Sequence, residues 1–367
     1  MPMSAAKSPR RMRFRLLLAS CVVTLLLGEL LARVWVAARW TPERIEQLTT
    51  HSAVRGRFAS HPYLPFVLTP GFGDHNALGF RGPPLDATKP SGVRRVACIG
   101  ASTTYGLDVS AEEANPSQLG RLLNESHGRW EAINAGVPGW VSSESLIDLE
   151  LRVLPLQPDV VVILQGRNEV FPQAYNGFVP DYTHFRRPGF NFTVSNYAHK
   201  ELFGWSRLAM LACTLRGERF GWHERDEHPL YGGILWENRP TTPVAALNLA
   251  DLSRLAPLRS NLESMIELCR ARGVIVVVCT MAFRSDKLAM DELEPDPQLA
   301  PVLAAQVERN NEVAREVASR LGAGLVETAR LAERPELFRD DCHMTPEGHR
   351  LFAQMVHDAL APLLEKR

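Results

Sequence analysis

The run Val160-Val161-Val162-Ile163-Leu164 places the tightest constraint on how this sequence can fold. Five successive apolar residues, most of them β-branched, leave no polar face to turn toward water. Such a strand must be covered on both sides, as inner strands of a parallel sheet are by flanking helices. Val274 to Cys279 is a second run of this kind, and Val96-Ala97-Cys98-Ile99, closed by Gly100, is a third. Helical patterns separate the strands. Asn115 before Pro116 marks a helix start, because proline suits the first helical position. Leu146, Leu149, Val153 and Leu154 follow helical spacing after candidate caps at Ser142 and Ser143. Leu255, Leu258, Leu262, Met265, Ile266 and Cys269 share one helix face, and Gly273 ends it. A short strand over Trp130 to Asn134, a helix over 301–321, a strand near Leu325-Val326 and a last helix from Pro346 complete the series. Alternation of this kind predicts a three-layer α/β/α sandwich around a central parallel sheet.

The N-terminus obeys a different rule. Lys7, Arg10, Arg11, Arg13 and Arg15 precede an uncharged run from Leu16 to Gly28, and apolar character resumes around Glu29 and Arg33 as far as Ala38. A bilayer crossing takes roughly 20 residues, so 16–38 is long enough for a transmembrane helix. Glu29 and Arg33 lie four apart, placed to pair on one helix face or to snorkel to the interface. The basic cluster predicts a cytoplasmic N-terminus with the remainder periplasmic, in a single-pass protein of a bacterial inner membrane. A retained anchor is the preferred reading. A cleaved signal peptide, with Val36-Ala37-Ala38 as a tolerable cleavage site, is the second. The lipobox-like Leu18-Ala19-Ser20-Cys21 is the third, weakened by its short lead and by the apolar sequence after it. All three export the remainder of the chain.

The expected organisation is therefore 1–15 as a basic cytoplasmic N-terminus, 16–38 as the anchor, 39–92 as a Pro- and Gly-rich lead-in, and 93–367 as the α/β domain. Residues 171–250 break its rhythm with many aromatics, prolines and charges, and only a weak helix signal near Leu208 to Leu215. An excursion after a strand's carboxyl end lies over the functional edge of an open sheet, which makes 171–250 a candidate lid or substrate-recognition insert. Lys and Arg together number 41, as do Asp and Glu, so the chain has no net charge to draw it to nucleic acid. None of the six cysteines forms a CxxC pair, which argues against a structural zinc site.

The chemistry lies at strand ends. Gly100-Ala101-Ser102-Thr103-Thr104 comes after the first strand and puts Ser102 at the carboxyl edge, without the second glycine of a GxSxG elbow. Serine needs a base to take its proton and donors to receive the oxyanion. His343 is the candidate base, and Asp340, three residues earlier, can reach its ring across a tight turn. Asn134-Ala135-Gly136-Val137-Pro138-Gly139 and Gly166-Arg167-Asn168-Glu169 come after two further strands. The N–H of Gly139 and the amide of Asn168 can join the N–H of Ser102 as oxyanion donors. Other residues carry less. His349 reads as structural in the last helix, and Trp205, Trp222 and Trp236 read as insert packing or a sugar-binding surface.

These four segments resemble the sequence blocks of the SGNH (GDSL-like) hydrolase superfamily, in order. Ser102 matches the block I serine, Gly139 the block II glycine with Gly136 as a fallback, and Asn168 the block III asparagine. Asp340 and His343 match the DxxH of block V. Asn76-Ala77-Leu78-Gly79-Phe80-Arg81-Gly82 also resembles a stretch that precedes block I in anchored bacterial members. Ala101 and Glu169 depart from the usual residues without removing a catalytic atom. The resemblance implies a flavodoxin-like SGNH fold and a serine esterase acting on small O-acyl esters, such as acetyl groups on carbohydrate. It implies no metal and no organic cofactor. The alternatives are an O-acyltransferase on a cell-envelope glycan and an inactive glycan-binding scaffold. The expected partners are an ester or acylated glycan and the membrane, with oligomeric state left open.

Overall fold

Parallel strands with apolar residues on both faces should stack side by side under two helical layers, and they do. The computed structural model describes residues 9–40, 57–59, 61, 63–174, 178–182, 205–212, 251–287 and 299–365. The chain divides into two compact units: residues 1–53 with 192–233, and residues 54–191 with 234–367.

In the second unit, a two-stranded antiparallel ribbon pairs β1 (Phe58–Ala59) with β2 (Val67–Leu68). The central sheet contains β3 (Arg94–Gly100), β4 (Trp130–Gly136), β5 (Val160–Leu164), β6 (Ile275–Cys279) and β7 (Gly324–Val326). Its order is β4-β3-β5-β6-β7, and every pairing is parallel. This is the flavodoxin-like arrangement, with its switch point between β3 and β5. Register aligns the strand ends. Gly100 lies beside both Gly136 and Leu164, and Leu164 lies beside Cys279. The loops after β3, β4, β5 and β6 therefore leave the sheet along one edge.

Strand residues alternate between two cores. Val96, Cys98, Val160, Val162, Val277 and Cys279 face α3 (Asn115–His127) and the last helix, α8 (Pro346–Leu364), with Leu119, Leu123, Phe352, Val356 and Leu360 among the filling side chains. Ala97, Ile99, Val161, Ile163, Val276 and Val278 face α6 (Ala256–Arg270) and the later turns of α7 (Leu299–Leu321). All five residues of β5 are buried, each contributing roughly 1.5–3 kcal/mol of transfer free energy. The described cysteines are free thiols, four of them buried, and burial pushes the Cys98 thiol up to about 12.

Three short helices lie between these: α2 (Ser102–Tyr105), α4 (Ser142–Asp148) and α5 (Val170–Ala174). The pattern after Ser142 differs from the expected single helix. Neither serine is the cap. Val141 occupies that position, and its N–H donates to Glu144 Oε2 at 2.8 Å, while the Ser142 hydroxyl accepts from Asn261. Past Asp148 the backbone widens into a π turn over Leu149–Val153 and tightens into a 3-10 turn over Leu154–Leu156. Pro155 lacks an N–H to donate, so a regular α ladder cannot run on through it.

The first unit holds α1 (Pro9–Arg39) and a helical stretch over 207–212. Met12–Arg39 is long and apolar enough to cross a membrane. Glu29 and Arg33 pair at 2.7 Å, as their spacing suggests. Most of the 171–250 insert, including Trp222 and Trp236, lies outside the described residues, as do Cys213 and much of the early lead-in.

Candidate active site

The site begins where β3 runs out. Ala101 carries the chain into α2, so Ser102 is the first residue of a helix and its N–H is a first-turn donor without an intrahelical acceptor. The turn is possible because two glycines leave room for it. A Cβ on Gly100 would sit 2.2 Å from Thr104 Oγ1, and one on Gly136 would sit 2.2 Å from the Tyr105 nitrogen. Gly136, the fallback oxyanion residue, is thus required for close packing under α2. Gly106 ends the helix in the left-handed region, at φ 82°.

The lead-in motif supports the same turn. Asn76 Oδ1 accepts the N–H groups of Leu78 and Phe80, which fixes a loop that delivers Arg81 to the end of α2. The buried Arg81 guanidinium donates to the carbonyls of Tyr105 at 2.8 Å, Gly106 at 2.5 Å and Val109 at 2.7 Å. It also lies over the Tyr105 ring at 4.3 Å and pairs with Asp74. Positive charge against those orphan carbonyls holds Ser102 from behind. Stretch 76–82 is therefore more than a linker: it braces the serine turn.

His343 stands in front of Ser102. Its Nε2 lies 2.8 Å from Ser102 Oγ and its Nδ1 lies 2.5 Å from Asp340 Oδ2. Asp340 Oδ1 accepts the N–H groups of Cys342 at 2.9 Å and His343 at 2.7 Å, an Asx-type turn that sets the reach of three residues. Neighbouring Asp341 points elsewhere. Its Oδ2 accepts Arg167 Nε at 2.8 Å and Nη2 at 2.6 Å, and both side chains are about nine-tenths buried. Thr103 donates to the Cys342 carbonyl at 3.4 Å. Burial pulls the His343 imidazole down, but the Cys342 sulfur and the Asp340 carboxylate outweigh it, and the net direction is upward. For Asp340, burial opposes ionisation while the hydrogen bonds from His343 hold the carboxyl below its ordinary range.

Two further loops close on this pair. Trp140 N–H returns to the Val137 carbonyl at 3.2 Å, with Pro138 and Gly139 between them and Gly139 at φ 79°. Proline followed by a positive-φ glycine is the type II turn pattern. Asn168 Nδ2 donates to the Trp140 carbonyl at 2.9 Å, which ties the Gly139 turn to the loop after β5. A primary amide has two hydrogens, so this contact orients the second one while leaving it for another acceptor. Behind Asn168, Glu169 is fully buried, accepts the Ser142 N–H through Oε1, and has no partner on Oε2 among the described residues. Burial, reinforced by nearby Glu144, raises it to about 7.

The sequence motifs do not reveal the Arg167–Asp341 pair or the role of Arg81. The hints are of adjacency alone: Arg167 precedes Asn168, and Asp341 lies inside the DxxH segment. His349 is buried, with Nδ1 accepting from the backbone and side chain of Asn115 at 3.2 and 3.0 Å, and burial drives it down to about 3. Among the described residues, Asp340, Cys342 and His343 bring ligand-type atoms within 4.8 Å of one another. The aspartate and both imidazole nitrogens are engaged in hydrogen bonds with each other, with the loop backbone and with Ser102, an arrangement suited to handling a proton.

A family model for GDSL-like lipases and acylhydrolases matches residues 98–351, well over half of the chain and the whole span from β3 into α8. The chain belongs to the GDSL-like lipase/acylhydrolase family. As a family member it is an ester-hydrolysing serine hydrolase. Similar solved structures include a lipase/acylhydrolase from Enterococcus faecalis, at 18% identity over 73% of this chain and 95% of that one, TM-score 0.42. A GDSL-like lipase from Bacteroides thetaiotaomicron has 14% identity over 74% of this chain and 89% of its own, TM-score 0.40. An acetylxylan esterase from Geobacillus stearothermophilus has 14% identity over 73% and 94%, TM-score 0.42. No curated protein matches this GDSL-like chain.

Proposed function

We propose that this protein is an extracytoplasmic, membrane-anchored serine esterase in which Ser102, His343 and Asp340 carry acyl transfer. The observation that carries the reading is the chain of contacts from Ser102 Oγ to His343 at 2.8 Å and on to Asp340 at 2.5 Å. With Nδ1–H donated to Asp340, Nε2 is the free basic nitrogen. It takes the Ser102 proton as Oγ bonds to the ester carbonyl carbon. The N–H groups of Ser102 and Gly139 and the amide of Asn168 receive the negative charge on the carbonyl oxygen. The intermediate collapses, the C–O bond to the alcohol breaks, and His343 returns its proton to the leaving oxygen. Water then attacks the acyl-enzyme by the same route and frees the acid and Ser102.

Short O-acyl esters are the acyl class this reading adopts. O-acetyl groups on carbohydrate are the first substrate class to test. Acetyl, butyryl and octanoyl p-nitrophenyl esters, together with acetylated glycans, provide the assay. Preference for acetyl, lost in Ser102→Ala, supports the reading. Equal rates on octanoyl esters contradict the short-acyl part, and full activity in Ser102→Ala contradicts the nucleophile.

The anchor reading rests on α1. Its basic start predicts a cytoplasmic N-terminus, with the esterase domain on the far side of an inner membrane. Protease added to intact spheroplasts is expected to digest a C-terminal tag and spare an N-terminal one.

A further inference from the structure

An ionisable side chain inside a membrane helix calls for a partner, and Glu29 has one outside α1. Besides Arg33, its carboxylate accepts the Ser206 hydroxyl at 2.7 Å, the Arg207 N–H at 2.9 Å and the Leu208 N–H at 3.0 Å. Arg33 Nη2 donates to the Trp205 carbonyl at 2.8 Å, and Ser206 Oγ accepts the Ala209 N–H at 3.0 Å. One turn of α1 thus binds four consecutive residues of the insert. The contact extends along the helix in both directions. Toward the basic end, Leu208 packs where a Cβ on Gly28 would lie 3.1 Å from it. Toward the other end, Met210 and Val36 bury each other, with Trp40 and Leu211 packed against them.

We propose that residues 205–212 are a second membrane element, embedded beside α1 in the leaflet opposite the basic N-terminus, with phospholipid as the partner of their outer face. The inference rests on α1 being a span. Counted from Leu16, Glu29 lies about 20 Å along a hydrocarbon core of roughly 30 Å. At that depth an unpaired backbone N–H costs several kcal/mol. The N–H groups of Arg207 and Leu208 begin a helical stretch, where no intrahelical acceptor is available, and Glu29 satisfies both. A glycine opposite a leucine is the close approach that packs helices in lipid, where no hydrophobic effect drives them together. Trp205 is 84% exposed although the segment around it is pinned. A bare indole is poorly placed in water and well placed at the headgroup level, and the same unit carries Trp35 and Trp40, whose rings lie 6.1 Å apart near the end of α1. The N-terminal helix is then a docking partner for the insert as well as a tether, and its cleavage would strip 205–212 of its hydrogen bonds.

The test uses the full chain in vesicles of phosphatidylcholine and phosphatidylglycerol brominated near the top of the acyl chains. The tryptophan emission lost in Trp205→Phe isolates that residue, and the emission lost in Trp35→Phe isolates α1. The proposal predicts that bromolipid removes about half or more of the Trp205 component and that aqueous iodide quenches it far less than it quenches free tryptophan. In Glu29→Ala, the Trp205 component is expected to become iodide-sensitive while the Trp35 component stays bromolipid-sensitive. Iodide quenching of Trp205 in the wild type as strong as that of free tryptophan overturns the proposal. If Trp35 also escapes bromolipid, the span itself is wrong; if Trp35 alone is quenched, only the embedded segment is wrong. A Trp205 component that remains bromolipid-sensitive in Glu29→Ala overturns the docking on Glu29.

Discussion

Asp340 and Asp341 are neighbours of the same type with different work, and each makes its own prediction. Burial lowers His343, but Cys342 and Asp340 outweigh it and the net direction is upward, so the acid limb of kcat/KM should have its midpoint above the ordinary imidazole value of about 6.5. Asp340→Asn should lower kcat by roughly 10²–10⁴-fold and move that limb to lower pH. A pH–rate profile unmoved by the substitution would contradict the assignment. Asp341 forms a buried ion pair with Arg167 that joins the His343 loop to the Asn168 loop. Arg167→Met leaves that carboxylate buried and unpaired, at a cost of about 3–5 kcal/mol in denaturant unfolding. Adding Asp341→Leu should recover much of the stability but not kcat, because both loops would have lost their common brace. Glu169 supplies a test with a definite sign. Its folded pKa, about 7, exceeds the ordinary carboxyl value, so its contribution is fully present at low pH and lost as pH rises through 7. Glu169→Gln should therefore stabilise the protein above about pH 7, by up to about 3 kcal/mol, with little change near pH 4. His349 has the opposite sign: its depressed folded pKa removes stability as pH falls from 6.5 toward 3.

At the scale of elements, the glycines under α2 are the sharpest expectation. Gly136→Ala drives a methyl into the Tyr105 backbone. It should cost several kcal/mol, as overpacking and backbone shifts do, and displace Ser102, seen as a fall in thermal midpoint together with lost ester hydrolysis. The strands are legible in the sequence because a buried parallel strand declares itself by continuous apolar residues. Val160–Leu164 is legible to the residue, and α8 begins at Pro346 as expected, with Thr345 accepting the Gly348 N–H as its cap. The serine, glycine, asparagine and DxxH segments are legible because their motifs stand at element ends, the first three directly after strands. What escapes reading has no periodicity. The partners Arg167 and Asp341 are 174 residues apart, and no local pattern links them. The π turn after Asp148 keeps Leu149 and Val153 buried in the core, so their spacing alone does not distinguish it from an α turn. Arg81 looks like part of a linker because three of its four acceptors are backbone carbonyls, which carry no sequence signature.

At the scale of the whole molecule, a helix long and apolar enough to cross a membrane precedes the esterase sequence. The native protein should remain in the membrane pellet after alkaline carbonate and leave it in detergent; release by carbonate would contradict a spanning α1. Everything else depends on whether the serine at the end of β3 is the nucleophile. The direct measurement is labelling of membranes bearing the full-length protein with a fluorophosphonate probe, then peptide mass spectrometry. The adduct is expected on Ser102, absent in Ser102→Ala and reduced at least about 10²-fold in His343→Ala. Undiminished labelling of Ser102→Ala, or an adduct on any other residue, would contradict the account.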